Sequence, residues 1–214
     1  MKQYLLLIGF IFLLATQMLA QEFYAGATGG LVLSQVDGDS FGGYNKFGAS
    51  GGLFVRNTFG DTWSFRMELK YIQKGSVATI LSNPLSTYGY YKMSLNYIEI
   101  PFLFEYNFKH LKIPPKIDWN FNNRLHLAGG LYLGYLYKAL EDEGPGPNDA
   151  TSTFTKIEIG GQWGVTWFIG DHLAFDYRFS YTFLPIRFSP NTTYYYWVNW
   201  EFNRVMTFSL MYQF

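Results

Sequence analysis

Three stretches of this chain alternate large apolar residues with small or charged ones over nine or ten consecutive positions. At 173–182, Leu173, Phe175, Tyr177, Phe179 and Tyr181 interleave with Ala174, Asp176, Arg178, Ser180 and Thr182. At 63–71, Trp63, Phe65, Met67, Leu69 and Tyr71 interleave with Ser64, Arg66, Glu68 and Lys70. At 206–214, Met206, Phe208, Leu210, Tyr212 and Phe214 interleave with Thr207, Ser209, Met211 and Gln213. Period two puts alternate side chains on opposite faces of an extended strand. The chain must therefore fold as β-sheet with one apolar and one polar face.

Two solutions hide the apolar face: a soluble sandwich, which buries it as core, or a barrel in lipid, which turns it outward. Soluble strands average about 5–6 residues, and these runs are longer. Aromatic residues make up 21% of the chain, and only 15% of residues are charged, against roughly 25% in typical soluble domains. The aromatics cluster near the run ends, where membrane-interface girdles lie. These features favour an all-β, eight-stranded antiparallel up-and-down transmembrane β-barrel.

Eight strands are expected at about 23–36, 46–57, 62–74, 91–108, 123–138, 153–168, 171–184 and 203–214. Each is long enough for the roughly 9–11 residues of a tilted membrane crossing. An even count puts both ends on one side, by convention the periplasm. The connections at 58–61, 109–122 and 169–170 would lie there, and those at 37–45, 75–90, 139–152 and 185–202 outside. No second domain, heptad or long repeat is visible.

The polar face would line the lumen. Arg56, Arg66, Glu68, Lys70, Glu99, Glu105, Arg124, Lys156, Glu158, Asp176 and Arg178 all fall on it. The signs nearly balance, and an unpaired buried charge is prohibitive. The expectation is a salt-bridged network filling the barrel, centred on Arg66, Glu68, Lys70, Glu99, Glu105, Glu158, Asp176 and Arg178. A selective pore or proton relay is the alternative.

Residues 1–20 are expected to be a cleaved export signal, with residues 21–214 as the barrel domain. Lys2 gives the positive start, residues 4–14 the apolar stretch, and Ala20 a small residue suited to cleavage. There is no cysteine, which excludes disulfides, thiolate metal sites and a lipid anchor on Cys. With 16 basic and 16 acidic residues, no net charge points to nucleic acid as a partner.

Catalytic, cofactor and metal sites are not expected. The three histidines are His110, His126 and His172. His126 is inward on the fifth strand and is read as a hydrogen-bonded lumen residue. Asp37-Gly38-Asp39 lacks the acidic continuation of a calcium loop and is read as a turn. Loop 139–152 is acidic, and the 109–122 turn is basic through Lys109, Lys112 and Lys116. Tyr194, Tyr195, Tyr196, Trp197 and Trp200 are candidate contacts for protein or glycan, or an extension of the aromatic girdle.

The residues also carry a family resemblance. Residues 68–75 (ELKYIQKG) resemble a strand end of PorT-like outer-membrane barrel proteins, and residues 96–101 (NYIEIP) are similar to another of their strands. Residues 128–136 (AGGLYLGYL) resemble a third, with Gly130 where proline is common. Asn203-Arg204 and the alternating run to Phe214 resemble their C-terminus. The resemblance implies an eight-stranded outer-membrane barrel of a Gram-negative bacterium. The founding member takes part in type IX secretion, and no catalytic residues carry over.

The functional expectation is a non-enzymatic structural or accessory envelope component. It would contact outer-membrane lipid and bind other envelope or secretion proteins through its loops. The competing readings are a small-solute channel, a lipid-modifying enzyme and a soluble exported sandwich.

Overall fold

The computed structural model describes residues 22–39, 41–78, 90–110, 124–188 and 200–214. Among the described residues ten strands are present: β1 (Glu22–Asp37), β2 (Lys46–Phe59), β3 (Trp63–Ala78), β4 (Tyr91–Asn107), β5 (Leu125–Asp142), β6 (Asn148–Asp149), β7 (Ile157–Phe168), β8 (Leu173–Thr182), β9 (Arg187–Phe188) and β10 (Trp200–Gln213). β6 and β9 are two-residue ladders in the loops. The other eight pair antiparallel in the order β1-β2-β3-β4-β5-β7-β8-β10, and β10 pairs back onto β1. The sheet closes on itself, which leaves no exposed edge.

The register fixes the tilt. Following paired residues round the ring leads from Tyr24 through Arg56, Arg66, Leu103, Gly130, Gln162, Ser180 and Val205 to Ser34. The path returns to β1 ten residues from where it began. With strands near 4.8 Å apart and rising about 3.3 Å per residue, that stagger tilts them by about 40°. An eight-stranded barrel of this kind has an interior just wide enough for side chains to fill.

The outside is apolar. Leu53, Val55, Leu69, Phe102, Leu131, Leu133, Trp163 and Leu210 are all exposed on it. Aromatic pairs ring both ends of this band. Trp63–Tyr106 (4.9 Å between centroids) and Tyr212–Phe214 (6.0 Å) lie toward the end where β1 begins and β10 ends, which we call the terminal end. Tyr71–Tyr137 (6.0 Å) and Tyr181–Phe202 (6.1 Å) lie toward the other, the loop end. Among the described residues no helix is long and apolar enough to cross a membrane. The spanning elements are the strands.

The observed strand ends differ from the expected ones mainly at the loop end. β3 runs to Ala78, β5 to Asp142, and β10 begins at Trp200. β7 begins at Ile157, because 151–153 form a 3-10 turn instead. A bulge between β4 and β5 pairs Asn96 with Lys138 and Tyr97 with Leu136, leaving Tyr137 as the extra residue. The bulge reverses the facing beyond it, so that Ala139 turns inward while both Tyr137 and Lys138 are exposed.

Gly75 and Gly130 are among the glycines that have a steric reason to be there. Gly75 has φ +135, and a Cβ on it would lie 2.1 Å from the Met93 carbonyl oxygen. A Cβ on Gly130 would lie 1.9 Å from that of Phe102.

Candidate functional site

The lumen is filled in layers. At its centre Arg66 is fully buried on β3. Its Nη2 lies 2.9 Å from Asp176 Oδ1, and its Nε lies 2.9 Å from Glu105 Oε1 and 3.2 Å from Glu68 Oε1. Arg178 grips Glu68 with two parallel bonds, Nη1 to Oε2 at 2.8 Å and Nη2 to Oε1 at 2.6 Å. Its Nε stands 2.8 Å from Asp176 Oδ2. Thr166 donates to Asp176 Oδ1 at 2.6 Å. The Nε contacts of the two arginines are charge pairs whose N–H is not aligned as a hydrogen bond. Their Coulomb attraction depends on distance and survives the misalignment.

Toward the loop end a second cluster forms on Lys74 and Glu158. Lys74 Nζ lies 2.5 Å from Glu99 Oε1 and 2.7 Å from Glu158 Oε1. It also sits over the rings of Tyr97 (4.9 Å) and Tyr132 (4.7 Å). Lys70 Nζ is 3.5 Å from Glu99 Oε2. Tyr132 and Thr182 donate to Glu158 Oε1 at 2.6 and 3.1 Å, and Asn203 Nδ2 donates to Oε2 at 3.0 Å.

Toward the terminal end Arg56 Nε donates to Glu105 Oε2 at 2.8 Å and its Nη2 to Ser64 Oγ at 3.0 Å. The same Nη2 lies 3.1 Å from His126 Nδ1. Three clusters thus join five cations (Arg56, Arg66, Lys70, Lys74, Arg178) to five anions (Glu68, Glu99, Glu105, Glu158, Asp176). The lumen charge is balanced, which is the condition for burying so many ions.

Beyond the charges, toward the loop end, Val32, Val36, Ile72, Met93, Leu95, Leu136, Phe154, Ile186 and Val205 pack into an apolar layer. β7 and β8 are the shortest wall strands, so the wall is low between β5 and β10. Phe154 and Ile186, from the two loops on that side, fill the gap. Arg187 closes it. It donates to Glu201 Oε2 at 2.9 Å and Oε1 at 3.0 Å, and to Glu141 Oε1 at 2.6 Å, while lying 4.4 Å over the Phe154 ring. Tyr91 also donates to Glu141, at 2.7 Å.

The structure brings together all eight residues expected at the centre of the network, none more than 6% exposed. Two others placed in the lumen by alternation are not there. Arg124 is exposed at the rim, where it bonds the Ile169 carbonyl. Lys156 is exposed because it precedes β7. Lys74 was missed, although its even number puts it on the face of Arg66, Glu68 and Lys70. The Arg187 clamp was missed too, because its members lie on loops and strand ends. Glu141, expected in the acidic loop 139–152, is on β5 and paired with Arg187.

Trp200 opens β10 and does not lie in a loop. It is exposed and packs edge-on to Phe188 at 6.5 Å. Tyr194, Tyr195, Tyr196 and Trp197 lie outside the described residues, as do residues 1–20, Lys112 and Lys116. Asp37 pairs with Arg204 at 2.7 Å. Asp39, in the β1–β2 loop, accepts the Phe41 N–H at 2.8 Å, and burial pushes its carboxyl up to about 7. His172 Nδ1 lies 2.9 Å from the Gln213 carbonyl oxygen. Among the described residues no three metal-binding side chains cluster.

Several solved outer-membrane proteins are similar to this chain. Ail, the attachment invasion locus protein of Yersinia pestis, solved with the heparin analogue sucrose octasulfate, is 13% identical, with 90% of this chain and 99% of that chain covered and a TM-score of 0.49. Neisserial surface protein A is 14% identical, with 91% and 99% covered and a TM-score of 0.49. OprG of Pseudomonas aeruginosa is 15% identical, with 90% and 95% covered and a TM-score of 0.39. No curated protein matches in sequence. A family model described as outer membrane protein beta-barrel domain matches residues 17–186, most of the closed ring. The chain belongs to the outer membrane protein beta-barrel domain family.

Proposed function

We propose that this barrel is a non-enzymatic structural or accessory component of the outer membrane, which holds its loops and turns in place for other envelope proteins. The observation that carries the reading is the filled lumen. A balanced ion network, an apolar layer and the Arg187 clamp lie in series along the axis. A solute path would need a continuous polar gap, and the apolar layer interrupts it. His126 has a guanidinium and an amide at its two ring nitrogens, so among the described residues no carboxylate is hydrogen-bonded to it to orient it as a base. A PorT-like identity, with a link to type IX secretion, is the finer form of the proposal and rests on the sequence resemblance. Export through a signal at 1–20, giving a barrel that starts at residue 21, belongs to the same proposal.

The test is a tagged copy extracted from native outer membranes in mild detergent. A stoichiometric envelope partner is expected, and a secretion component would support the finer reading. Recovery of a lone monomer under every mild extraction would defeat the proposal.

A further inference from the structure

One buried cation of the barrel stands outside the balanced network. Lys46 opens β2 at the loop end and is only 7% exposed. Its Nζ folds back onto the carbonyl oxygen of the next residue, Phe47, at 2.8 Å, which uses one of its three donors. Among the described residues the one charge near enough to act on it is a second cation, Lys92, exposed on β4.

The acids at this end are engaged elsewhere. Asp37 pairs with Arg204, and Glu141 and Glu201 pair with Arg187. Asp39 takes the Phe41 N–H. Asp142, opposite Lys92 in the β4–β5 ladder, takes the N–H groups of Gly144 and Gly146. Asp149 lies near Lys138 and Lys156, and Glu143 is exposed beyond β5. Residues 79–89, between β3 and β4, and 189–199, between β9 and β10, contain no Asp or Glu. A buried ammonium without a counterion is costly. The position therefore asks for an anion from outside the chain.

The wall is loosely joined where Lys46 sits. The β2–β3 ladder ends at the pair Ser50 and Ile72. Above that pair, residues 46–49 continue with β1 and residues 73–78 with β4. The Gln73 side chain bridges the foot of this gap by accepting the Ala49 N–H at 3.2 Å. Lys46 thus lies on one side of the loop-end stretch of β3, and Lys92, opposite Val77, lies on the other.

The level is where the apolar band ends. Phe47, next to Lys46, is 64% exposed on the outer face. On β3 and β4 the outward Leu69 and Ile98 give way to Gln73 and Asn96, which hydrogen-bond the girdle residue Tyr71. A lysine at such a boundary keeps its stem in the apolar layer and its head among polar groups.

We propose that Lys46, with Lys92 beside it, holds the phosphate of an anionic lipid headgroup at the loop-end face of the membrane. The phosphate supplies the missing negative charge and acceptors for the remaining ammonium N–H groups. The exposed Phe47 ring lies against the lipid chain below. The site does not depend on the accessory role, because its ligand is lipid and not protein.

The test uses the full barrel folded in maltoside micelles, which carry no phosphate, titrated with phosphatidic acid or with inorganic phosphate. Reductive methylation read by mass spectrometry follows Lys46 and, as a control, the exposed Lys109 at the terminal end. Phosphatidic acid is expected to protect Lys46 saturably, at lower concentration than inorganic phosphate, and to leave Lys109 unchanged. Lys46→Gln should weaken phosphatidic acid binding in native mass spectrometry by roughly tenfold, and Lys92→Gln should weaken it less. Lys138→Gln, at another exposed position of the same end, should leave it unchanged. Heat-modifiable migration on gels reports whether each variant is folded, and Lys92→Gln keeps the test valid if Lys46→Gln does not fold. Protection by inorganic phosphate at equal or lower concentration would put a free anion in place of the lipid and overturn the proposal. No protection by either probe would overturn it too, as would wild-type binding in the folded variants or an equal loss in Lys138→Gln.

Discussion

Arg66 touches three carboxylates from three strands and is fully buried. Its removal would leave Glu105, Glu68 and Asp176 crowded with less positive charge. Breaking a buried pair costs about 3–5 kcal/mol, so Arg66→Leu should destabilise the barrel by about that much. Lys156→Ala, at an exposed position the sequence had placed in the lumen, should change stability by less than about 0.5 kcal/mol. Urea unfolding in a matched lipid or detergent measures both, and equal effects would contradict the assignment. Asp39 sets a pH dependence. Its carboxyl rises from an ordinary value of 3.8 to about 7 on burial. A raised acid favours the folded loop at low pH, so that contribution is full below about pH 4 and is lost as pH rises through about 7. Hydrogen exchange of residues 41–45 should quicken across that window relative to the barrel strands. Asp39→Asn should flatten the change, and a flat profile in the wild type would remove the idea.

At the scale of the element, the strands were legible because period two is unambiguous when one face is aromatic. Their loop-end limits were not. The β4–β5 bulge at Tyr137 breaks parity, and the ladders β6 and β9 have too few residues to leave a pattern. The inward charges were legible for the same reason as the strands, since Arg66, Glu68, Asp176 and Arg178 lie within the cleanest alternations. Who meets whom was not. Arg178 reaches Glu68 and Arg66 reaches Asp176 across 110 positions of sequence, a meeting set by ring stagger. Gly75 tests the local geometry. With φ +135 and the Met93 carbonyl against its missing Cβ, Gly75→Ala should strain the β3–β4 ladder by about 1–3 kcal/mol. A lower folded fraction on refolding into lipid vesicles is the expected readout, and a wild-type yield with unchanged stability would contradict it.

For the whole molecule, the closed ring explains how the chain can show lipid an apolar face while holding ten ions inside. Outward charge at the bilayer midplane costs roughly 2–4 kcal/mol per residue, and the alternation sends it inward, where it pairs. The terminal end keeps a polar vestibule, and the loop end is closed by Phe154, Ile186 and Arg187. The proposed accessory role rests on this filled lumen. The most direct test is single-channel recording of the purified, folded barrel in planar bilayers. The filled lumen predicts no stepwise conductance above the background of the bilayer. Steady, reproducible channel steps from the wild-type protein would contradict it.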